Sequence, residues 1–223
     1  MTVALRSPIA KKARAGAPRP TRDAERTQGA ILEAATAEFA RHGLGGARVN
    51  RIAERAKTNK RMLYYYFGGK EALFLAVLER VYEHIRHEEQ GLHLTDLAPV
   101  AGVRKLVVFT WNYYLAHPEF MTLLNSENLH RAQHLRRSQK IRAMHSPLIA
   151  TLSEVLARGV REGVFRRGVD PVQLYVSIAA LGYFYLSNNH TLSTIFGRDL
   201  MAPRAKAERL AHINDLVLGY LAK

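Results

Sequence analysis

Asn59-Lys60-Arg61-Met62-Leu63-Tyr64-Tyr65-Tyr66-Phe67-Gly68-Gly69-Lys70-Glu71 is the stretch on which the fold turns. Three consecutive tyrosines sit in a short basic segment that ends in Phe-Gly-Gly-Lys. Adjacent residues of a helix face directions about 100° apart, so three adjacent phenols cannot share one buried face. Some of the hydroxyls must therefore meet something polar. Lys60, Arg61 and Lys70 stand alongside, which points to a phosphate backbone and the base edges beside it. Asn59 is a good N-cap for a short helix over Lys60 to Phe67, and Gly68-Gly69 breaks it. Leu63 and Phe67, at i and i+4, supply its anchoring face.

Outward from this stretch, helical periodicity dominates and no convincing strand pattern is present. Thr21 can cap a helix from about Arg22 to His42, with Ile31, Leu32, Ala35 and Phe39 on one face and Gly43 after its end. A short helix over about Arg48 to Ala56 buries Val49, Ile52, Ala53 and Ala56. A long helix starts near Lys70, carries Leu73, Phe74, Val77, Leu78, Val81 and Ile85, and fades near Gly91. Further helices are expected over Pro99 to Ala116, Pro118 to about His130, and Leu135 to Glu162 with a kink at Pro147. Asp170-Pro171 opens another, running to about His190, and the last covers Pro203 to Leu221.

Charge divides the chain. Residues 1–70 hold 15 Lys/Arg against five Asp/Glu, and residues 71–223 hold 18 against 14. The positive field therefore sits in the first third, where a polyanion would bind. Residues 1–21 carry Arg6, Lys11, Lys12, Arg14 and Arg19 among prolines, with no acid. They read as a disordered basic arm, either free or laid along a nucleic-acid backbone. There is no cysteine, which excludes disulfides, thiolate zinc sites and cysteine nucleophiles. The N-terminus lacks the apolar core of a secretory signal. The longest uncharged stretch, Pro171 to Gly197, is too interrupted by polar residues to span a membrane and reads as a helix buried in protein. A cytoplasmic location is expected.

Three helices in the first part of the chain, the last two short and joined by a tight turn, fit a helix-turn-helix. In that motif the second short helix enters the major groove, where Arg61 can pair with guanine and tyrosine hydroxyls can meet phosphate. The run from Gly43 to Leu73, Gly-x5-Val-x2-Ile-Ala-x2-Ala-x2-Asn-Lys-x2-Leu-Tyr-Tyr-Tyr-Phe-Gly-Gly-Lys-Glu-Ala-Leu, resembles the N-terminal domain of TetR-family transcriptional regulators. The resemblance implies an all-α fold: a three-helix DNA-binding module with a helix-turn-helix over residues 22–69, then a larger helical ligand-binding and dimerisation domain over residues 70–223. It also implies that Lys60 to Tyr66 is the recognition helix, with Tyr64 and Lys70 at backbone-contacting positions and Arg61 and Tyr65 at base-reading ones. The full expected DNA-binding set is Arg48, Asn59, Lys60, Arg61, Tyr64, Tyr65, Tyr66 and Lys70, with Tyr66 the most structural of the phenols. Two departures stand out. Ala47-Arg48 replaces the usual Thr or Ser cap, and Lys57 replaces the usual turn glycine, which asks a lysine to take a left-handed conformation.

By the same resemblance the chain acts as a homodimeric repressor on double-stranded, near-palindromic operator DNA and answers to a small-molecule effector of unspecified identity. The expected dimer stripes are Ala179, Gly182 and Leu186 on one helix and Leu210, Ile213, Val217 and Leu221 on the last, with core packing as the competing reading. The expected pocket residues are Trp111, Tyr114, Phe120, Asn125, Asn128, Tyr175, Tyr183 and Asn189, again weighed against plain core. His84/His87/Glu88 and Glu127/His130/His134 have helical metal-ligand spacing, but solvated surface histidines are the expected reading, and no metal or cofactor is expected. There is no Gly-x-Gly-x-x-Gly, Walker loop or nucleophile elbow. A constitutive DNA-binding protein without inducer, and a helical-bundle metal protein or enzyme, are the alternative classes.

Overall fold

The computed structural model describes residues 22–223; the basic arm over residues 1–21 lies outside the described residues. Among the described residues ten α-helices follow in order. They are α1 (Arg22–Gly46), α2 (Val49–Arg55), α3 (Lys60–Phe67), α4 (Lys70–Gln90) and α5 (Pro99–Ala116). The others are α6 (Pro118–Leu129), α7 (Gln139–Arg161), α8 (Pro171–Ser187), α9 (Asn189–Phe196) and α10 (Pro203–Leu221). Among the described residues there is no strand, only an isolated antiparallel bridge between Phe165 and Ala222.

The caps follow local chemistry. Asn59 accepts from the Met62 amide at 3.0 Å, Ser138 from Ile141 at 3.2 Å, and Asp170 from Val172 at 2.7 Å. Each satisfies an amide that a helix start leaves without an internal partner. Prolines at the first turns of α5, α6, α8 and α10 cost nothing there, since those amides have no helical acceptor. Pro147 lies inside α7, as its sequence position suggests.

Three boundaries depart from the sequence reading. The first helix runs on past Gly43, whose φ of 62° turns the chain before a final segment to Gly46. The Leu135–Arg137 segment is a separate 3-10 turn ahead of α7. The helix expected from Pro171 to His190 ends at Ser187, and Asn189–Phe196 forms α9. Nor is α8 wholly buried: Val172, Val176 and Phe184 are exposed along it.

One hydrophobic core runs through the molecule. Ile31, Phe39, Ile52, Leu63, Phe74 and Leu78 are fully buried where α1 to α4 meet, and Leu106, Leu123, Leu152 and Ile178 continue the core through α5 to α8. α4 belongs to both regions, touching α1 and α3 at one end and α7 at the other. α1 also packs along α6. There the Leu44 amide donates to Ser126 Oγ at 3.3 Å, so the turn at Gly43 is tied to the middle of the chain.

Candidate nucleic-acid interface

The helix-turn-helix is assembled by a few contacts. After α2, the amides of Ala56, Lys57 and Thr58 return to Ile52, Glu54 and Ala53. Lys57 sits at φ 52°, the left-handed conformation its place in the motif demands. Gly68 closes α3 at φ 76°, its amide donating to the Tyr64 carbonyl at 2.8 Å; a side chain there would be strained. Leu63 is fully buried and Phe67 half-buried against the same core, so α3 is held by its inner face.

That anchoring fixes what points outward. Lys60 and Arg61 are exposed, as are Tyr64 at 42% and Tyr65 at 76%. Tyr66 is half-buried against the core, with its ring edge-on to Tyr65 at 5.1 Å between centroids. Lys60 Nζ lies 5.7 Å from the Tyr64 ring centroid. The segment Lys60–Phe67 carries no acid. An exposed aromatic surface among unopposed cations can grip phosphate and pack against sugar or a thymine methyl. Asn59 is committed to its cap, with Oδ1 on Met62. Lys70 is half-buried and donates to the Gly45 carbonyl at 3.3 Å, tying the start of α4 to the end of α1.

Arg48 is exposed at the start of α2 and makes no side-chain cap. The capping is done from outside the motif by Glu38 of α1. Its Oε1 accepts from the Arg48 amide at 2.9 Å and from Arg51 Nε at 2.7 Å. Burial pushes the Glu38 carboxyl up, but the bonds from Arg51 and Arg48 outweigh it and hold it below the usual carboxylate range. Sequence reasoning missed Glu38 and Arg51. The available signal was an acid inside the apolar stripe of Ile31, Ala35 and Phe39.

The residues expected to line an effector pocket are occupied by packing and contacts within the chain. Trp111, Tyr114 and Phe120 are buried in core, with the Phe120 ring stacked on Tyr114 at 6.1 Å. Asn125 and Asn128 are exposed on α6, where Tyr183 donates its hydroxyl to Asn125. Asn189 donates to the Leu186 carbonyl at 2.6 Å. Only Tyr175 meets an unusual partner: its hydroxyl accepts from the buried Arg86 at 2.7 Å. Core packing accounts for Trp111, Tyr114 and Phe120, because aromatic side chains serve a helical core as readily as a ligand.

The expected dimer stripes lie largely inside the single chain. Gly182, Leu186, Ile213, Val217 and Leu221 are buried within the single chain, and Ala179 and Leu210 are half-buried. Gly182 lies where a Cβ would be 3.4 Å from the Tyr114 ring. The apolar residues left outside are Val172, Val176 and Phe184 on α8 and Leu216 and Tyr220 on α10. Among the histidines, His134 is buried, contrary to the surface expectation, with Nδ1 2.7 Å from Glu127 Oε2. Glu127 also accepts the amides of His134 and Leu135, which fixes the turn after α6. Among the described residues no group of His, Asp and Glu could hold a metal ion, and no helix is long and apolar enough to cross a membrane.

A helix-turn-helix with a basic, tyrosine-rich second helix, mounted on a larger helical body, defines a DNA-binding regulator. Residues 31–77 match the model for bacterial regulatory proteins of the tetR family, and residues 99–217 match that for the tetracyclin repressor-like C-terminal domain. The HTH-type transcriptional repressor NicS of Pseudomonas putida is 43% identical over 200 residues, covering 90% of this chain and 94% of its own. The HTH-type transcriptional repressor SCO4008 of Streptomyces coelicolor is 41% identical over 48% of this chain and 53% of its own. Among solved structures, the putative transcriptional regulator SCO4942 from Streptomyces coelicolor superposes with a TM-score of 0.66 at 26% identity, covering 87% of this chain and 98% of that one. The chain belongs to the TetR family: it is a DNA-binding transcriptional repressor and not an enzyme.

Proposed function

We propose that two copies of this repressor, acting in the cytoplasm, bind a near-palindromic operator through α3 and leave it when a small molecule binds the helical C-terminal part. The observation that carries the DNA half is the outward face of α3. Arg61 and Tyr65 stand exposed on a helix whose opposite side is locked by Leu63. In this reading Arg61 and Tyr65 read bases, Tyr64, Lys60 and Arg48 hold backbone, and Tyr66 supports Tyr65. Asn59 presents the helix start, and Lys70 sets the position of α3 through Gly45.

Two recognition helices must meet two half-sites about one helical turn apart, which calls for a twofold dimer. The exposed residues Val172, Val176 and Phe184 of α8 and Leu216 and Tyr220 of α10 support a contact made by these two helices from each copy. Release would follow when movement of α6 is passed to α1 through the Ser126–Leu44 bond, changing the spacing of the two α3 helices. Arg61→Ala combined with Tyr65→Ala should remove specific DNA binding in fluorescence anisotropy while sedimentation still shows a dimer. Unchanged affinity in that double variant would refute the assignment.

A further inference from the structure

The inner face of α4 begins as ordinary core, with Leu78, Tyr82 and Ile85, and then presents Arg86 and Glu89. Both are buried, at 5% and 4% exposure, which is rare for charged side chains unless they are fully paired. Here the pairing is incomplete. Arg86 Nη2 donates to the Tyr175 hydroxyl at 2.7 Å, and the guanidinium lies 5.4 Å from the Tyr175 ring centroid. Arg86 Nη1 is 2.5 Å from Glu89 Oε2, but the geometry makes no hydrogen bond. Arg86 Nε is buried without a partner, whereas Arg86 Nη1 and Glu89 Oε2 meet each other as an ion pair. Leaving the Nε donor unmet is costly, so Arg86 has bonding capacity to spare.

A cavity adjoins it. Arg86 and Glu89 line a space of about 160 Å³ between α4, the Leu94–Asp96 turn and α7. Leu94, Met144, Pro147 and Leu148 also line it. A void of about 150 Å³ accommodates one benzene ring. Burial pushes the Glu89 carboxyl up to about 7 against the pull of Arg86. Burial thus favours the neutral form of Glu89 and weakens its hold on the Arg86 charge. A cationic ligand would be repelled, and an uncharged hydrocarbon would leave the polar atoms unmet.

We propose that this cavity is the effector site and that the effector is a single-ring aromatic carboxylate, its carboxylate on Arg86 and its ring against Leu94, Met144 and Leu148. The assignment rests on the effector-release reading above and specifies its ligand. Charge-assisted bonds from a guanidinium to a carboxylate are the strongest such a site can offer. The position also suits regulation: the cavity lies at the far end of the helix whose first residue, Lys70, bonds to Gly45 beside the DNA-binding module.

The test is calorimetric titration of the full-length protein with benzoate and the three hydroxybenzoates, beside the matching amides. At least one carboxylate should bind, at least tenfold more tightly than its amide. Arg86→Gln should abolish that preference. Leu148→Trp, which narrows the cavity from α7 and keeps the Arg86 side chain, should also abolish binding, so the outcome does not hang on one variant. Binding of no carboxylate, equal binding of the amides, or binding indifferent to both variants would overturn the site. Anisotropy on bound DNA separates the two claims. Arg86-dependent binding that releases no DNA would leave an anion site and refute effector release. Release that ignores both variants would keep effector release and refute the site.

Discussion

At the residue scale, three side chains carry the argument through their immediate surroundings. Lys57 occupies a left-handed position that costs a non-glycine residue roughly 1–2 kcal/mol. Lys57→Gly should therefore raise the unfolding free energy by about 1 kcal/mol in urea titrations, with no loss of DNA binding. A fall in stability would mean that the lysine stem holds the turn. Glu38 is the hub of the α1–α2 contact. Its folded-state value lies below the unfolded one, so its contribution is present above the unfolded value of 4.5 and is lost as pH falls through the folded one. Glu38→Ala also strips the Arg48 amide of its acceptor and should cost about 1–3 kcal/mol, measured at neutral pH. Glu89 has the opposite sign. Its value is raised, so its contribution is full below 4.5 and is lost as pH rises through about 7. Glu89→Gln should thus lose less stability than the parent protein between about pH 5 and pH 8. Parallel curves would show that burial does not hold its proton.

At the element scale, what was legible in the sequence is what local chemistry decides. Asn59, Gly68 and Asp170-Pro171 place the ends of α3 and the start of α8, because caps, left-handed glycines and first-turn prolines act within one turn. The outward face of α3 was legible for the same reason: once Leu63 is the anchor, the directions of Arg61, Tyr64 and Tyr65 follow from helical geometry. What was not legible depends on which neighbour arrives. α8 is apolar on several sides, so its sequence gave no way to tell the face spent on Trp111 and Tyr114 from the face left outside. The break before α9 at Asn188-Asn189 has neither glycine nor proline to mark it. Arg86 and Glu89 were not singled out in the sequence, because what Arg86 is left to bond depends on Tyr175 of α8 and the other neighbours packed against α4. The exposed faces of α8 and α10 yield a prediction of their own. Val176→Glu with Leu216→Glu should shift the protein from dimer to monomer in sedimentation, since buried like charges would face each other. A dimer of unchanged strength would move the interface elsewhere.

At the scale of the whole molecule, two physical links join the DNA-reading end to the rest. α4 runs from Lys70, beside α3, to Glu89 at the buried cavity, a rise of about 28 Å at 1.5 Å per residue. α6 meets α1 at the Ser126–Leu44 bond, next to the turn at Gly43. Both links end at the close of α1, beside the helix-turn-helix, so in the proposed reading movement of the C-terminal helices would reach α3 through α1. In the proposed arrangement two copies of α3, related by a twofold axis, read the DNA sequence with their outward faces. This reading is tested most directly by selecting duplexes from a random DNA pool with the parent protein and with Arg61→Ala. The parent protein should enrich a near-palindromic sequence with half-sites about one helical turn apart, and the variant should relax the preference at one position of each half-site. Enrichment of no sequence by the parent protein, or of the same sequence by both proteins, would contradict the account.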